Sequence, residues 1–93
     1  MSQDKRSLEA RLMEIKYASR YVLLAELLEK CKEPVTKSEL FYELKTSYSQ
    51  YRRLLRFALQ KGLLEKQDST YYVTSKGLQY IKKLNELLSI LEG

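Results

Sequence analysis

The chain has 93 residues and a mass of 11.0 kDa, which is enough for one small domain and too little for two independent cores. Apolar residues make up 44% and charged residues 31%, with three Gly and one Pro, so a disordered or turn-rich all-β chain is excluded. Lys and Arg number 17 against 12 Asp and Glu, and with no His and one Cys the chain lacks the residues for His-based acid–base chemistry, a His/Cys zinc site or an intrachain disulfide.

A long helical pattern fills the first third of the chain. Apolar residues recur at helical spacing over residues 8–15 and again over residues 21–28. The two stripes are out of phase, so whether residues 4–31 form one helix or two stays open. Pro34 ends the segment, because the residue before a proline avoids the helical conformation.

Two capping patterns mark the next helices. Thr36 and Glu39 have the spacing of a capping box, in which each side chain binds a free backbone N–H, so a short second helix is predicted to start there. Ser47 and Gln50 repeat this spacing after a tight turn and predict a third helix over residues 48–61. The residues predicted to face the core from this helix are Tyr51, Leu54, Leu55, Ala58 and Leu59.

The periodicity changes after the third helix. Gly62 fits the end of that helix, because Gly adopts the left-handed conformation at little cost. Residues 63–66 can form a strand and residues 71–74 are of strand-favouring types, so together they predict a β-hairpin. Thr74 or Ser75 is expected to cap a final helix that runs nearly to the end of the chain.

This order of elements is that of a winged helix-turn-helix with an added C-terminal helix. The predicted fold class is therefore mainly α with a small β-hairpin. We divide the chain into an N-terminal helical extension at residues 1–14, a winged-helix domain at residues 15–74 and a C-terminal dimerisation helix at residues 75–93.

The net charge of +5 is concentrated in one segment. Residues 44–64 contain no acid, and the rest of the chain carries equal numbers of positive and negative residues. A local positive field suits a polyanion such as DNA, whereas charge alone leaves open a solvated basic face without function. The basic residues of the segment are Lys45, Arg52, Arg53, Arg56 and Lys61.

Two stretches carry a family resemblance. The segment 36–64 includes Thr36-Lys37-Ser38, Tyr42, Ser47-Tyr48, Leu55 and Lys61-Gly62-Leu63-Leu64, and the segment 71–77 reads Tyr-Tyr-Val-Thr-Ser-Lys-Gly. In order and spacing they resemble the small, basic, ten-kilodalton winged-helix chromatin-type DNA-binding proteins of crenarchaea, over roughly residues 15–91.

The resemblance implies a homodimer joined by an antiparallel coiled coil of the last helix, and binding to double-stranded DNA with modest sequence preference. It also implies an archaeal, cytoplasmic, nucleoid-associated protein. The residues that it places toward DNA are Ser47, Tyr48, Ser49, Gln50, Arg52 and Arg53. One departure concerns the hairpin tip, which carries Asp68 and no Arg, so contact between the wing and phosphate is not implied.

The side chains themselves suit DNA. The planar fork of Arg donates two parallel hydrogen bonds to phosphate or guanine, and Gln50 can pair with adenine in the same way. Lys37, Lys45 and Lys66 can hold backbone phosphates or be merely solvated. The full set of candidate DNA-binding residues is Lys37, Lys45, Ser47, Tyr48, Ser49, Gln50, Arg52, Arg53, Arg56 and Lys66.

The last helix has more apolar positions than a surface helix needs. One core can cover only one of its sides, so the other side is predicted to pack against a second copy of the chain. The alternative is that residues 4–14 fold back and cover it. The candidate interface residues are Ile81, Leu84, Leu87, Leu88 and Leu91.

We therefore expect a homodimeric double-stranded DNA-binding protein, either architectural or transcription-regulating, with residues 48–61 in the major groove. The alternative is a winged-helix protein-interaction module that does not bind DNA. No apolar run approaches the roughly 20 residues of a membrane span, so no membrane partner is expected. Neither an enzyme activity nor a metal, a cofactor or a small-molecule ligand is expected.

Overall fold

The computed structural model describes residues 20–92, and its elements follow the predicted order. The first fourteen residues, assigned above to an N-terminal extension, lie outside the described residues, as do residues 15–19. The elements are α1 Arg20–Lys30, β1 Val35–Thr36, α2 Lys37–Leu44, α3 Tyr48–Gln60, β2 Leu64–Gln67, β3 Thr70–Val73 and α4 Ser75–Glu92.

The predicted capping box at the start of α2 is confirmed. Thr36 Oγ1 accepts the Glu39 N–H at 3.3 Å, and Glu39 Oε1 accepts the Thr36 N–H at 3.1 Å. The backbone N–H of Thr36, followed by its hydroxyl group, stabilises the charged form of Glu39 and lowers the pKa of that carboxyl group. The helix start is thus determined by four neighbouring residues of the sequence.

The second capping pattern is only half formed. Ser47 Oγ accepts the Gln50 N–H at 3.1 Å at the start of α3, as predicted. A complete capping box would add a bond from the Gln50 side chain to the Ser47 N–H, and this bond does not form. The Gln50 side chain is half-buried between α1 and α3, so packing rather than capping determines its direction.

The end of α3 follows the predicted pattern at Gly62. This residue has φ +73°, and its N–H donates to the carbonyl of Leu59 at 3.2 Å. The N–H of Leu63 donates to the carbonyl of Ala58 at 2.8 Å, which completes the Schellman arrangement of hydrogen bonds. The chain therefore reverses within one residue and enters β2.

The three strands form one antiparallel sheet in the order β1, β3, β2. The hairpin is confirmed, although its tip is shorter than predicted, because Gln67 pairs with Thr70 and only two residues remain between them. Strand β1 was not predicted, and it pairs Val35 with Tyr71. A strand of two residues is too short to show an alternating pattern in the sequence. Its extended conformation is stabilised by pairing with β3, which is distant in the chain.

One hydrophobic core lies between the helices and the sheet. The predicted inner face of α3 is confirmed, with Leu59 half-buried and its other members buried. The single thiol, Cys31, is fully buried, and burial raises its pKa to about 12. The core cluster comprises Leu24, Leu27, Leu28, Cys31, Leu40, Leu44, Tyr51, Leu54, Leu55, Ala58, Leu63, Leu64, Tyr71 and Ile81.

A close joint connects α4 to the end of α3 and to the sheet. Thr74 Oγ1 donates to the carbonyl of Gly62 at 2.6 Å and accepts the Gly77 N–H at 3.1 Å, so Thr74 is the cap of α4. Lys76 Nζ donates to the carbonyl of Lys61 at 2.7 Å. A Cβ on Gly77 would lie 2.3 Å from the carbonyl oxygen of Leu63, so only Gly permits this approach.

Candidate nucleic-acid interface

The outer face of α3 is basic and open to solvent. Arg52, Arg53 and Arg56, here called the arginine face, are exposed together with Ser49 and Gln60. The apolar residues of the same helix are buried on the opposite side, so core packing decides which way the arginines point. The amphipathic pattern predicted from the sequence therefore places three of the candidate DNA-binding residues on one surface.

The charges of the arginine face have no acidic partner within residues 20–92. None of its three guanidinium groups forms an ion pair there, and ion pairs of this region join Lys30 to Glu43 and Lys32 to Glu29, away from α3. The guanidinium carbon of Arg52 lies 5.8 Å from the centre of the Tyr48 ring, a contact that attracts the cation but brings no negative charge to neutralise it. A field of this kind attracts a polyanion.

The start of α3 is small, polar and accessible. Ser47 and Ser49 are exposed, and their small side chains leave the N–H groups of Tyr48 and Ser49 open to approach by an anion. The next two N–H groups of the helix, those of Gln50 and Tyr51, already donate to Ser47. The ring of Tyr48 packs edge-on against Phe41 at 5.3 Å while about half of the residue stays exposed. This packing fixes the direction of the Tyr48 hydroxyl group at the surface beside the arginine face.

Gln50 lies away from the centre of the basic surface. It follows Ser49 by one residue, which turns it about 100° around the helix. Its side chain is half-buried and lines a crevice between α1 and α3 together with Arg53, Leu54 and Phe57. Gln50 thus has a packing role between α1 and α3, as Tyr48 has one against Phe41.

The three candidate lysines occupy separate elements. Lys37 begins α2, and its carbonyl accepts a hydrogen bond from the Tyr51 hydroxyl at 2.8 Å, so the first turn of α2 is tied to α3. Lys45 is exposed in the turn before α3 with φ +56°, where it joins the surface of the helix start. Lys66 is exposed on β2, and its ammonium group lies 5.9 Å from the centre of the Tyr71 ring.

The arrangement of helix, turn, helix and antiparallel hairpin agrees with a sequence match. The protein-family model of the winged helix-turn-helix matches residues 18–92. The chain belongs to the winged helix-turn-helix family. No curated protein is significantly similar to it in sequence. Winged helix-turn-helix domains are typically non-enzymatic DNA-binding modules, so the family itself suggests DNA binding in general.

The family assigns a role to each part of this winged helix. The third helix of the domain, α3, is the element in the position of the recognition helix, and the β2–β3 hairpin is the wing. The arginine face therefore lies on the recognition helix, and Lys66 lies on the wing. At the wing tip, Asp68 has φ +56° and is exposed, so an acid stands where the hairpin projects farthest.

The winged helix continues into α4, which packs against α1 and β3. The hydroxyl of Tyr80 donates to the carbonyl of Tyr21 at 2.6 Å and ties the two helices together. Two of the candidate interface residues, Ile81 and Leu84, are buried already. The other three, Leu87, Leu88 and Leu91, are partly exposed on the last turns of the helix, where Ile90 is 76% exposed.

Three exposed aromatic residues of the winged helix were not among the candidate site residues, and one of them is Tyr21 on α1, which is 54% exposed. Tyr42 on α2 is 84% exposed and Phe57 on α3 is 43% exposed. Phe57 is not among the residues of α3 that were predicted to face the core, and its exposure agrees with that pattern. For Tyr42 the signal was weaker, since an isolated aromatic residue on a short helix is compatible with either face.

The described residues carry no cluster for metal chemistry: within 20–92 no three His, Cys, Asp or Glu side chains converge. No helix of this part of the chain is long and apolar enough to cross a membrane. Burial raises the pKa of the Cys31 thiol to about 12, which disfavours the reactive thiolate. The chemistry that the surface does offer is the donation of hydrogen bonds and positive charge.

Proposed function

We propose that the protein is a homodimer that binds double-stranded DNA, with α3 in the major groove. The observation that carries this proposal is the arginine face, which combines three exposed guanidinium groups with the absence of any acidic partner in residues 20–92. The face lies on the recognition helix of a winged helix-turn-helix, which is the element that enters the major groove in this fold. Phosphate neutralisation supplies most of the binding energy in such a complex.

The proposed contacts divide into positioning and groove contacts. Ser47, Tyr48 and Lys45 approach the phosphates that border the groove, since they surround the start of α3. Lys37 on α2 reaches the same backbone, whereas Lys66 approaches a neighbouring phosphate from the wing. The contacts of the helix itself come from Ser49, Gln50, Arg52, Arg53 and Arg56.

The proposed role is architectural. The resemblance to crenarchaeal chromatin-type proteins favours broad binding along a nucleoid over control of one gene. A half-buried Gln50 at the flank of the helix is poorly placed to read a base, which agrees with modest sequence preference. Under this proposal the protein is archaeal, cytoplasmic and bound to the nucleoid.

The proposed dimer forms through α4. Ile81, Leu84, Leu88 and Leu91 follow the 3-4-3 spacing of a coiled-coil seam. Partial exposure leaves the outer sides of Leu87, Leu88 and Leu91 available to a second copy. Ile81 and Leu84 support this face from within the fold. A dimer presents two recognition helices to one duplex, so each copy adds its phosphate contacts to the same binding event.

The test compares two charge-removing double variants on one labelled DNA duplex. Arg53→Ala with Arg56→Ala removes two charges from the arginine face, and Lys82→Ala with Lys83→Ala removes two exposed charges from α4. The arginine pair should raise the Kd for duplex by about tenfold or more, and the lysine pair much less. Equal effects of the two pairs would refute binding through α3.

The second candidate function is a protein-interaction module. The exposure of Tyr42 and Phe57 favours it, because large exposed aromatic residues mark many protein interfaces. The two functions differ in their response to nucleic acid. An interaction module binds duplex, single-stranded DNA and RNA equally weakly, whereas the proposed function requires a clear preference for duplex DNA at the same salt concentration.

A further inference from the structure

A crevice lies between α1 and α3 beside the arginine face. Its volume of about 350 Å³ is within the range of small-molecule pockets, roughly 300–1,000 Å³. It lies between the start of α1 and the middle of the recognition helix, so two elements of the fold build its walls. The residues that line it include Arg20, Leu24, Gln50, Arg53, Leu54 and Phe57.

The crevice combines an apolar interior with cationic flanks. Leu24 and Leu54 are buried and form its inner wall, while the partly exposed ring of Phe57 offers a flat apolar surface. Arg20 and Arg53 are exposed, and within residues 20–92 neither guanidinium group forms an ion pair or a hydrogen bond. Two unpaired guanidinium groups beside an apolar cavity are complementary to an anion with an apolar body.

We infer that this crevice binds a small organic anion, a carboxylate carried on an aromatic or branched aliphatic body. The carboxylate accepts paired hydrogen bonds from a guanidinium group, and the body packs on Phe57 and the two leucines. The half-buried amide of Gln50 can donate to the same carboxylate. This inference departs from the absence of a small-molecule ligand that the sequence led us to expect.

Binding in the crevice would regulate the DNA surface. Arg53 belongs both to the crevice and to the arginine face, and a carboxylate paired with it competes with phosphate for the same donors. The ligand therefore weakens DNA binding, and DNA weakens ligand binding by the same factor. This regulatory consequence rests on the proposed function, whereas the binding of the anion does not.

The probe for the test is 2-naphthoate, with 2-naphthamide as the neutral analogue of the same shape. Each compound is titrated into the isotopically labelled full chain without DNA and followed by NMR. Naphthoate should shift the signals of Leu24, Leu54 and Phe57 in a saturable way, with a Kd of about 1 mM or lower. Naphthamide should bind about tenfold more weakly, because it lacks the charge that the guanidinium groups pair with.

Matched arginine variants locate the charge contact. Arg20→Gln should raise the Kd of naphthoate by about tenfold and leave that of naphthamide unchanged. Arg52→Gln removes the same group from α3 outside the crevice and should change neither Kd. Shifts confined to another surface, equal affinity for the two compounds, or equal effects of the two variants would overturn the inference.

The absence of saturable shifts in the full chain would also overturn it, including the case in which another part of the chain occupies the crevice. The regulatory arm then measures duplex affinity with saturating naphthoate against the same concentrations of naphthamide and sodium chloride. Naphthoate alone should raise the Kd for DNA. If the protein does not bind duplex at all, the proposed function fails, and the NMR titration still decides whether the crevice binds the anion.

Discussion

The phenol oxygen of Tyr51 lies 2.8 Å from the carbonyl oxygen of Lys37, to which it donates a hydrogen bond from α3 to the first turn of α2. The Tyr51 ring is fully buried, so this bond crosses the helix-turn-helix from inside. It holds the start of α2 against the recognition helix while the side chains of Lys37 and the arginine face stay in solvent. Relative placement of the proposed DNA contacts thus depends on a core residue.

Tyr51→Phe should lower the free energy of unfolding by about 1–2 kcal/mol, because it removes this hydrogen bond between α3 and α2. Tyr42→Phe is the matched control, since the Tyr42 side chain is 84% exposed, and its effect should stay within about 0.5 kcal/mol. Urea denaturation of both variants measures the difference. Equal stabilities would show that the bond contributes nothing to the fold.

Stability should fall at alkaline pH. Burial raises the pKa of Cys31 from 9.0, and those of Tyr51 and Tyr80 from 10.0, to about 12 in the folded chain. The unfolded chain loses these protons first, so the stabilisation is complete below about pH 9 and is lost as the pH rises toward 12. Free energies of unfolding measured across this interval should decrease, and the decrease should be shallower in Tyr51→Phe. A stability that rises with pH would contradict the assignment.

The two described glycines with structural roles should respond differently to Ala. Gly62→Ala places a Cβ in open space at φ +73°, so its cost is the backbone strain alone, about 1 kcal/mol. Gly77→Ala drives a Cβ against the carbonyl of Leu63 and should cost about 2–3 kcal/mol, despite the better helix propensity of Ala. Thermal or urea denaturation shows which variant is less stable. A smaller loss of stability in Gly77→Ala would show that α4 can move away from the Leu63 carbonyl at little cost.

Light scattering tests the proposed dimer. At micromolar concentration the wild-type chain should have twice its mass of 11.0 kDa. Leu87→Glu with Leu91→Glu should give folded monomers, since unpaired charges do not stay buried in an apolar interface. Asn85→Glu adds a charge at an exposed position of the same helix and should remain dimeric. A wild-type mass of 11.0 kDa would end the proposal.

Much of the fold was accessible from the sequence because the determining interactions are local. The Thr36–Glu39 box, Gly62 and the apolar stripe of α3 each involve residues within one or two helical turns, so their spacing alone indicates the structure. Strand β1 was not predictable in this way, because Val35 owes its conformation to Tyr71 on a distant strand.

The exposure of part of the candidate surface also follows from local spacing. Helical register placed Arg52, Arg53 and Arg56 on the exposed face, as the structure has them. The packing of Gln50 and the crevice depend on how α1 crosses α3, and a pair of helices distant in sequence leaves no periodic signal. The outer face of α4 was visible as an excess of apolar residues, but the identity of its partner is not encoded in that excess.

Two single variants separate positioning from base reading on the recognition helix. Arg56→Ala should weaken binding to A·T-rich and G·C-rich duplexes alike, because it removes a phosphate contact. Gln50→Ala should change the preference between the two duplexes very little, since the side chain is half-buried at the flank of the helix. The measurement is the affinity of each variant for both duplexes at one salt concentration. A preference shift of about 1–3 kcal/mol in Gln50→Ala would make the protein a site-specific regulator.

The salt dependence of duplex affinity tests the central claim most directly. If each copy engages about three to five phosphates, a dimer neutralises about six to ten and releases their counterions. The affinity for duplex DNA should then fall by about 10³–10⁵ between about 50 and 200 mM salt. An affinity that stays nearly constant over this interval would contradict binding through the arginine face and leave the protein-interaction module as the function.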